Sequence, residues 1–441
     1  MAEYKYEYVA RIIKSKIQNA EYKPGDKMPS IFALAKELGL NKDTIIRAYG
    51  QLESEHWIYT VAKSGHYVVK AADAAEETPL IIDMLSTSPA SEINPYKDFY
   101  HCMEKAISLY EHKLFSYSAP KGMPELIGAL SKYLADYQIF AKPQDIFITS
   151  GAQQALFILA TMDFPHGHDA ILVEQPTYNA MMDIININKI PVISIQRTAR
   201  GIDLSKLEKI FSQNKVKFFY TMPRFQNPTG FSYCNHQKKE ILRLAKKYCV
   251  YIVEDDYLAD LDIDPKNDPI AAFDTDDIVI YIKSFSKTFL PGLRLGMAII
   301  PARLQAAFMK MKGAMDISSS VHSQGALEIY LRSGMYKSHI KRARAHYQEK
   351  MVVLDAECKK ELQGLACCFV PPMGIFAYIE VGGITAESLV IRLEQSGLKA
   401  WGIGPAYIEG FDHTEGIRLC ICKADTKSIV RAVQIIKNVL Y

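Results

Sequence analysis

Between residues 4 and 19, apolar side chains recur at helical spacing, at Tyr8, Ile12, Ile13 and Ile17. The turn Pro24-Gly25-Asp26 follows. Ser30 can cap a second helix carrying Ile31, Leu34, Ala35 and Leu38, which Gly39 ends. Asn41 can cap a third, with Ile45, Ile46, Tyr49 and Leu52. Two short runs, Trp57–Val61 and His66–Val69, then flank a tip at Lys63-Ser64-Gly65, which predicts a hairpin. Three helices and a hairpin within residues 1–71 predict a winged helix-turn-helix. Residues 72–80 are small, acidic and without periodicity, which predicts a linker.

From residue 81 the pattern changes. The apolar runs DIFIT, AILVE, KFFYTM, VYIVEDD and IVIYIKSFS alternate with amphipathic stretches long enough to be crossover helices. Such alternation predicts an α/β domain over 81–441 with a mostly parallel sheet, followed by a smaller α+β subdomain from about 320 to 441. A chain of 441 residues is too long for one core, in keeping with two or more domains.

Composition changes this picture little. Hydrophobic residues make up 49% and charged residues 23%, ordinary for a globular protein. No apolar run is long enough to span a bilayer, and charges interrupt the first helix, which is unlike a secretory signal. Eight cysteines without zinc-type spacing predict a reduced, cytoplasmic protein with no metal centre. A net charge of +3 is too small to argue for nucleic acid by itself. Any DNA-binding argument must rest on local pattern.

The chemistry lies in five strand-end motifs of the large domain and in one arginine within a late strand. The segment SFSKTFLPGLRLG, residues 284–296, follows a buried strand and places Lys287 between hydroxyls, with Ser284 and Arg294 able to bind phosphate. A lysine that can lose its charge is what a Schiff-base cofactor requires. Ser150, Gly151, Ala152 and Gln153 form a strand-to-helix turn whose free N–H groups suit an anion. Glu254-Asp255-Asp256-Tyr257 ends a strand; a carboxylate there can keep a pyridine nitrogen protonated, and Tyr257 can reach a ring hydroxyl, unless the acids face solvent. Asn227, in the turn QNPTG, can reach the same hydroxyl. Tyr178 can stack on a ring or simply pack. Arg418, in a late apolar strand, needs an anionic partner, either a substrate carboxylate or a structural acid.

Taken in order, these motifs from about Leu80 to the end resemble the fold-type I, class I/II aminotransferases. The resemblance implies pyridoxal 5′-phosphate bound to Lys287 as a Schiff base, with Asp255 at the pyridine nitrogen, Asn227 and Tyr257 at the ring hydroxyl, and Tyr178 stacked. It implies a phosphate site from Ser150, Gly151, Ala152, Gln153, Ser284 and Arg294, and a substrate carboxylate on Arg418. It also implies a homodimer in which Tyr117 reaches the partner's phosphate.

Residues 5–69 resemble the gluconate-repressor (GntR) winged helix-turn-helix, through YKPGDKMPSIFALAKELGLNKDTIIRAYGQLESE and the wing KSGHYV. The implied operator contacts are Lys42, Thr44 and Arg47 on the third helix and Lys63, Ser64 and His66 on the wing. Phe32 stands where that family usually has an arginine, which removes one phosphate contact. A winged helix kept for dimerisation or protein contact is the alternative. The two halves in this order are similar to the MocR subfamily of bacterial regulators. That resemblance implies a transcription regulator sensing pyridoxal phosphate, or an amine or amino acid that exchanges at Lys287. The rival is a working amino acid aminotransferase with an accessory domain.

Overall fold

A computed structural model describes residues 5–19, 21–55, 57–61, 64–69 and 81–441. The chain divides into two compact units, Met1–Leu80 and Ile81–Tyr441. The stretch expected as a linker and the wing-tip Lys63 lie outside the described residues. Among those described, no helix is long and apolar enough to cross a membrane.

The first unit comprises α1 (Lys5–Gln18), α2 (Ile31–Leu38), α3 (Lys42–Ser54), β1 (Ile58–Val61) and β2 (Gly65–Val68). The expected caps form. Ser30 accepts from the Ala33 amide, Asn41 accepts from the Thr44 amide at 2.8 Å, and Gly39 closes α2 at φ 65°. One detail differs from the pattern read in sequence. The buried stripe of α1 is Val9, Ala10 and Ile13, while Tyr8 is 48% exposed. On α3, Ile45, Ala48, Tyr49 and Leu52 are buried and Ile46 faces out. A step of four back from Ile13 reaches Val9, so the small core selects that register over the larger Tyr8 ring.

The second unit holds β3 (Ile82–Asp83), β4 (Ile146–Thr149), β5 (Ala170–Gln175), β6 (Val192–Gln196), β7 (Val216–Thr221), β8 (Tyr251–Asp255), β9 (Val279–Ser284), β10 (Gly296–Ile299), β11 (Cys367–Phe369), β12 (Phe376–Glu380), β13 (Leu398–Lys399), β14 (Trp401–Gly402) and β15 (Gly416–Cys420). Seven form the main sheet in the order β4-β10-β9-β8-β7-β5-β6. Neighbours from β9 to β6 run parallel, and β10 is antiparallel to both β4 and β9. The five apolar runs singled out in sequence are β4, β5, β7, β8 and β9. Strands β6 and β10 were not foreseen. The main sheet is buried on both faces, with the largest core packed against β5, β7 and β8. A second, antiparallel sheet has the order β11-β12-β15-β14 and packs against the helix Ala386–Gln395, while the helices Met335–Glu361 and Thr426–Leu440 pack on each other. A third pairing is short but joins distant sequence: β3 lies parallel to β13, Ile82 opposite Leu398.

Strand β10 explains how two site motifs come together. Gly296 pairs with Thr149 on one side and Ser284 on the other. A Cβ at Gly296 would lie 2.8 Å from the Gly151 carbonyl carbon, so only glycine lets the strand pass beneath that turn.

Candidate functional site

Five parallel-sheet or neighbouring strand ends open into one cavity of about 190 Å³. It is lined by Ala152 and Gln153 after β4, Tyr178 after β5, Met222 and Asn227 after β7, Asp255 and Tyr257 at β8, and Ser284, Ser286, Lys287 and Arg294 after β9. This is the C-terminal crevice where open α/β sheets bind ligands. A larger cavity, of about 1140 Å³, lies elsewhere, between the helix Pro124–Ala135 and residues 328–344.

The alternation of β8 sorts its three acids. Asp256 turns to one side, where Arg224 and the Tyr281 hydroxyl (2.8 Å) hold it. Glu254 accepts from the amides of Ile270 and Ala271, each at 2.8 Å. Asp255 alone faces the cavity. All three are buried, which removes the solvent-facing alternative. Burial pushes the Asp255 carboxyl up to about 7, against the pull of the Tyr220 hydroxyl, which donates to Oδ2 at 3.0 Å. Its Oδ1 is buried with no hydrogen-bond partner among the described residues.

Lys287 is partly buried, and its Nζ donates to the Thr87 hydroxyl. Burial lowers its pKa, as a lysine that must act as a neutral nucleophile requires. Asn227 Oδ1 accepts from Arg418 Nη1 at 3.1 Å, and Arg418 Nη2 donates to the Leu85 carbonyl at 3.3 Å. The guanidinium lies between the rings of Phe376, at 4.5 Å, and Trp401, at 4.7 Å. No carboxylate among the described residues pairs with it, and its Nε has no partner there. The structural ion pair that was the alternative for Arg418 is absent among the described residues. Burial accordingly lowers its pKa.

Other predicted residues fall as follows. Gly151 has φ 80°, and a Cβ there would sit 2.9 Å from Arg294 Nη2. Arg294 reaches the Ser150 carbonyl and Gln153 Oε1, both at 3.4 Å. The Ser150 hydroxyl turns instead to Asp316 (3.0 Å) and Ser319 (3.1 Å), and neither Ser150 nor Gly151 lines the cavity. Tyr178 receives a hydrogen bond from Gln153 at 3.3 Å, and Tyr257 donates to the Phe225 carbonyl at 2.5 Å. Tyr117 is 91% exposed and lies outside the cavity of its own chain.

Thr87 falls in the segment STSPASEINPY, which was expected to border the substrate from its family position alone. Sequence reasoning missed Tyr220 and Met222 and gave Ser286 no role of its own. It also missed a brace behind the lysine. Fully buried Asp260 accepts from Lys283 (2.8 Å), Thr288 (3.0 Å), Tyr137 and Tyr336 (2.7 Å each), and also from Tyr133. Burial alone would raise its pKa, but Lys283 and these hydroxyls outweigh it and hold the carboxyl at about 2. Lys283 and Thr288 flank Lys287, so one carboxylate fixes both ends of its turn.

On the winged helix, Lys42 and Arg47 are exposed, and Lys42 Nζ lies 5.0 Å from the Phe32 ring. The Thr44 hydroxyl is engaged by Asn41. Ser64 and Tyr67 hydroxyls meet at 2.6 Å, and His66 Nδ1 is 2.9 Å from the Thr60 hydroxyl.

Lys287, an acid with an unfilled buried oxygen, a glycine turn under an arginine, and a buried unpaired guanidinium suit the amine-reactive carbon, ring nitrogen, phosphate and substrate acid of a pyridoxal phosphate site. The class is thus a fold-type I, pyridoxal-phosphate-binding domain carried behind a winged helix. Residues 90–436 match the aminotransferase class I and II family, and residues 5–68 match the bacterial regulatory proteins of the gntR family. The chain belongs to the HTH-type transcriptional regulators that join these two domains. It is 40% identical to the uncharacterized HTH-type transcriptional regulator YcxD of Bacillus subtilis, over 98% of this chain and 99% of that one. It is 26% identical to the HTH-type transcriptional regulator NorG of Staphylococcus aureus, over 92% and 98%. The kynurenine aminotransferase of Pyrococcus horikoshii, solved with PMP, superposes with a TM-score of 0.76 at 26% identity, over 82% of this chain and 91% of that one.

Proposed function

We propose that the chain is a transcription regulator that binds operator DNA as a homodimer and senses pyridoxal phosphate, or an amine or amino acid that takes the place of Lys287 on it. The observation that carries this reading is the pairing of a gntR-type reader with a buried Arg418 that lacks a carboxylate partner and is tied through Asn227 to the Lys287 cavity. Bound pyridoxal phosphate supplies an aldehyde carbon that amines capture and a ring that withdraws electrons. The chain's own residues do the rest. Asp255 holds a proton at the ring nitrogen, Asn227 orients Arg418, and Arg418 takes a carboxylate through two parallel N–H groups. Tyr117, exposed on its own chain, is positioned in sequence to serve a partner's site.

Lys287, whose pKa burial lowers, also supports a second reading, turnover as an aminotransferase, because a lysine amine beside the cavity can move a proton at a substrate carbon. One experiment separates them. The holoprotein is incubated with a panel of amino acids and 2-oxo acids while absorbance and DNA affinity are followed. A spectral change without turnover, together with altered DNA binding, supports the regulator. Steady production of a new amino acid without any DNA binding at low salt would replace it with the enzyme.

A further inference from the structure

Ile46 is 50% exposed at the middle of α3, next to Ile45, which is fully buried. One exposed isoleucine is ordinary. Its surroundings are not. Ile45, Ala48, Tyr49 and Leu52 turn to the core, so Asp43, Ile46, Arg47 and Gly50, at spacings of three and four, share the opposite face. Gly50 lies inside the helix, where glycine is the least favourable residue short of proline. A Cβ there would meet nothing within 4 Å in this chain, so no internal packing calls for glycine. Lys42 and Arg47, on either side of Ile46, are exposed. Among the described residues, the salt bridges of the first unit join Lys14 to Glu55 and Lys16 to Glu21, and leave Lys42 and Arg47 without a carboxylate. The Thr44 hydroxyl donates to Asn41 at the cap, which leaves Ile46 as the large uncharged side chain on this face.

We propose that Ile46 reads thymine: its side chain packs on the 5-methyl group of a T·A pair in the major groove, and Gly50 lets the helix sit close enough for that contact. Cations on either side suit a polyanion. An apolar centre suits the thymine methyl, the apolar group that base edges present in that groove. Lys42 and Arg47 hold phosphates and fix the register, a role that carries no sequence information by itself. The bare helix backbone at Gly50 then faces the groove wall, where a methyl group would hold the two apart. A second copy docked by the same face would oppose a net positive patch to itself, so charge favours DNA as the occupant. The inference rests on the regulator reading above, and it names a base that the reading leaves open.

The test uses the full chain with pyridoxal phosphate. Duplexes are selected from a random pool by the wild type, and each thymine of the selected site is replaced in turn by deoxyuridine, which lacks only the methyl group. At one position in each half-site the replacement weakens wild-type binding about fourfold, as loss of one buried methyl group implies. Ile46→Ser binds the thymine and uracil duplexes equally, and it keeps the wild-type salt-dependence slope because no phosphate contact is lost. Gly50→Ala slows hydrogen exchange along α3, as a better helix former should, yet binds the selected duplex more weakly. The inference is overturned if the selected site holds no thymine, if every uracil duplex affects wild type and Ile46→Ser alike, or if Gly50→Ala binds as tightly as wild type. Weaker self-association of DNA-free Ile46→Ser would give the face to a second copy and overturn it too. If no duplex is selected even at low salt, the regulator reading fails and this inference with it; selection without the methyl effect overturns this inference alone.

Discussion

Arg418 Nη1 donates to Asn227 Oδ1 at 3.1 Å, which makes the asparagine of the QNPTG turn the side chain that aims the buried guanidinium. Asn227→Ala leaves Arg418 with the Leu85 carbonyl as its hydrogen-bond partner. Loss of a charge-assisted hydrogen bond costs about 1.5–3 kcal/mol, so amino acid affinity is expected to fall at least about tenfold. The cofactor absorbance band is expected to survive. Spectral titration with and without amino acid checks both halves, and an unchanged amino acid titration would contradict the role given to Asn227.

Asp255 makes stability depend on pH in a stated direction. Burial raises its carboxyl from the ordinary 3.8 to about 7 in the folded chain. Its contribution to stability is thus fully present below the unfolded value and is lost as pH rises through 7. Asp255→Asn does not titrate. The cofactor-free variant is therefore expected to gain Tm on the wild type between pH 5 and pH 8, while its affinity for pyridoxal phosphate drops. Thermal unfolding at the two pH values measures the first. A constant Tm difference would show that the carboxyl is not buried neutral.

Gly151→Ala tests the phosphate turn. The residue needs φ 80°, and a methyl group would press on Arg294 Nη2 from 2.9 Å. Strain of about 1–2 kcal/mol together with displacement of Arg294 should weaken cofactor binding about tenfold or more. The fold, read by far-ultraviolet circular dichroism, is expected to persist. Wild-type cofactor affinity in this variant would move the phosphate elsewhere.

On the winged helix, Arg47 is exposed on α3. If it meets a phosphate, Arg47→Ala lowers DNA affinity across sequences and reduces the salt-dependence slope by about one. Phe32→Arg is expected to steepen that slope by a similar amount, since it adds a cation where the Phe32 ring now supports Lys42. Affinities measured between low and moderate salt decide both.

Several of these groups were legible in sequence because local pattern announces them. DIFIT, AILVE and VYIVEDD are continuous apolar runs that end in polar residues, which is how buried parallel strands present their working ends. Ser30, Gly39 and Asn41 mark helix limits for reasons confined to one turn. The Asp260 brace was not legible. Its donors come from Tyr133, Tyr137, Lys283, Thr288 and Tyr336, on separate elements, and no local pattern ties them together. Lys283 is a single charge in a hydrophobic strand, and its partner Asp260 lies on a separate element. The strand β10 was hidden for a similar reason: Gly296-Met297-Ala298-Ile299 is short and glycine-led, and its pairing with both Thr149 and Ser284 is a tertiary choice. Thr87 could be placed near the substrate only by family position; its contact with Lys287 depends on the pairing of β3 with β13.

That last pairing sets an order of events on the ribosome. Ile82 has no strand to lie against until Leu398 has been synthesised. The winged helix, whose core closes within its own sequence, can fold long before then. A nascent chain therefore presents a folded winged helix before Arg418 and Trp401 exist to stand beside Asn227 at the Lys287 cavity, and a chain cut short in its last strands would keep the winged helix and lose that guanidinium.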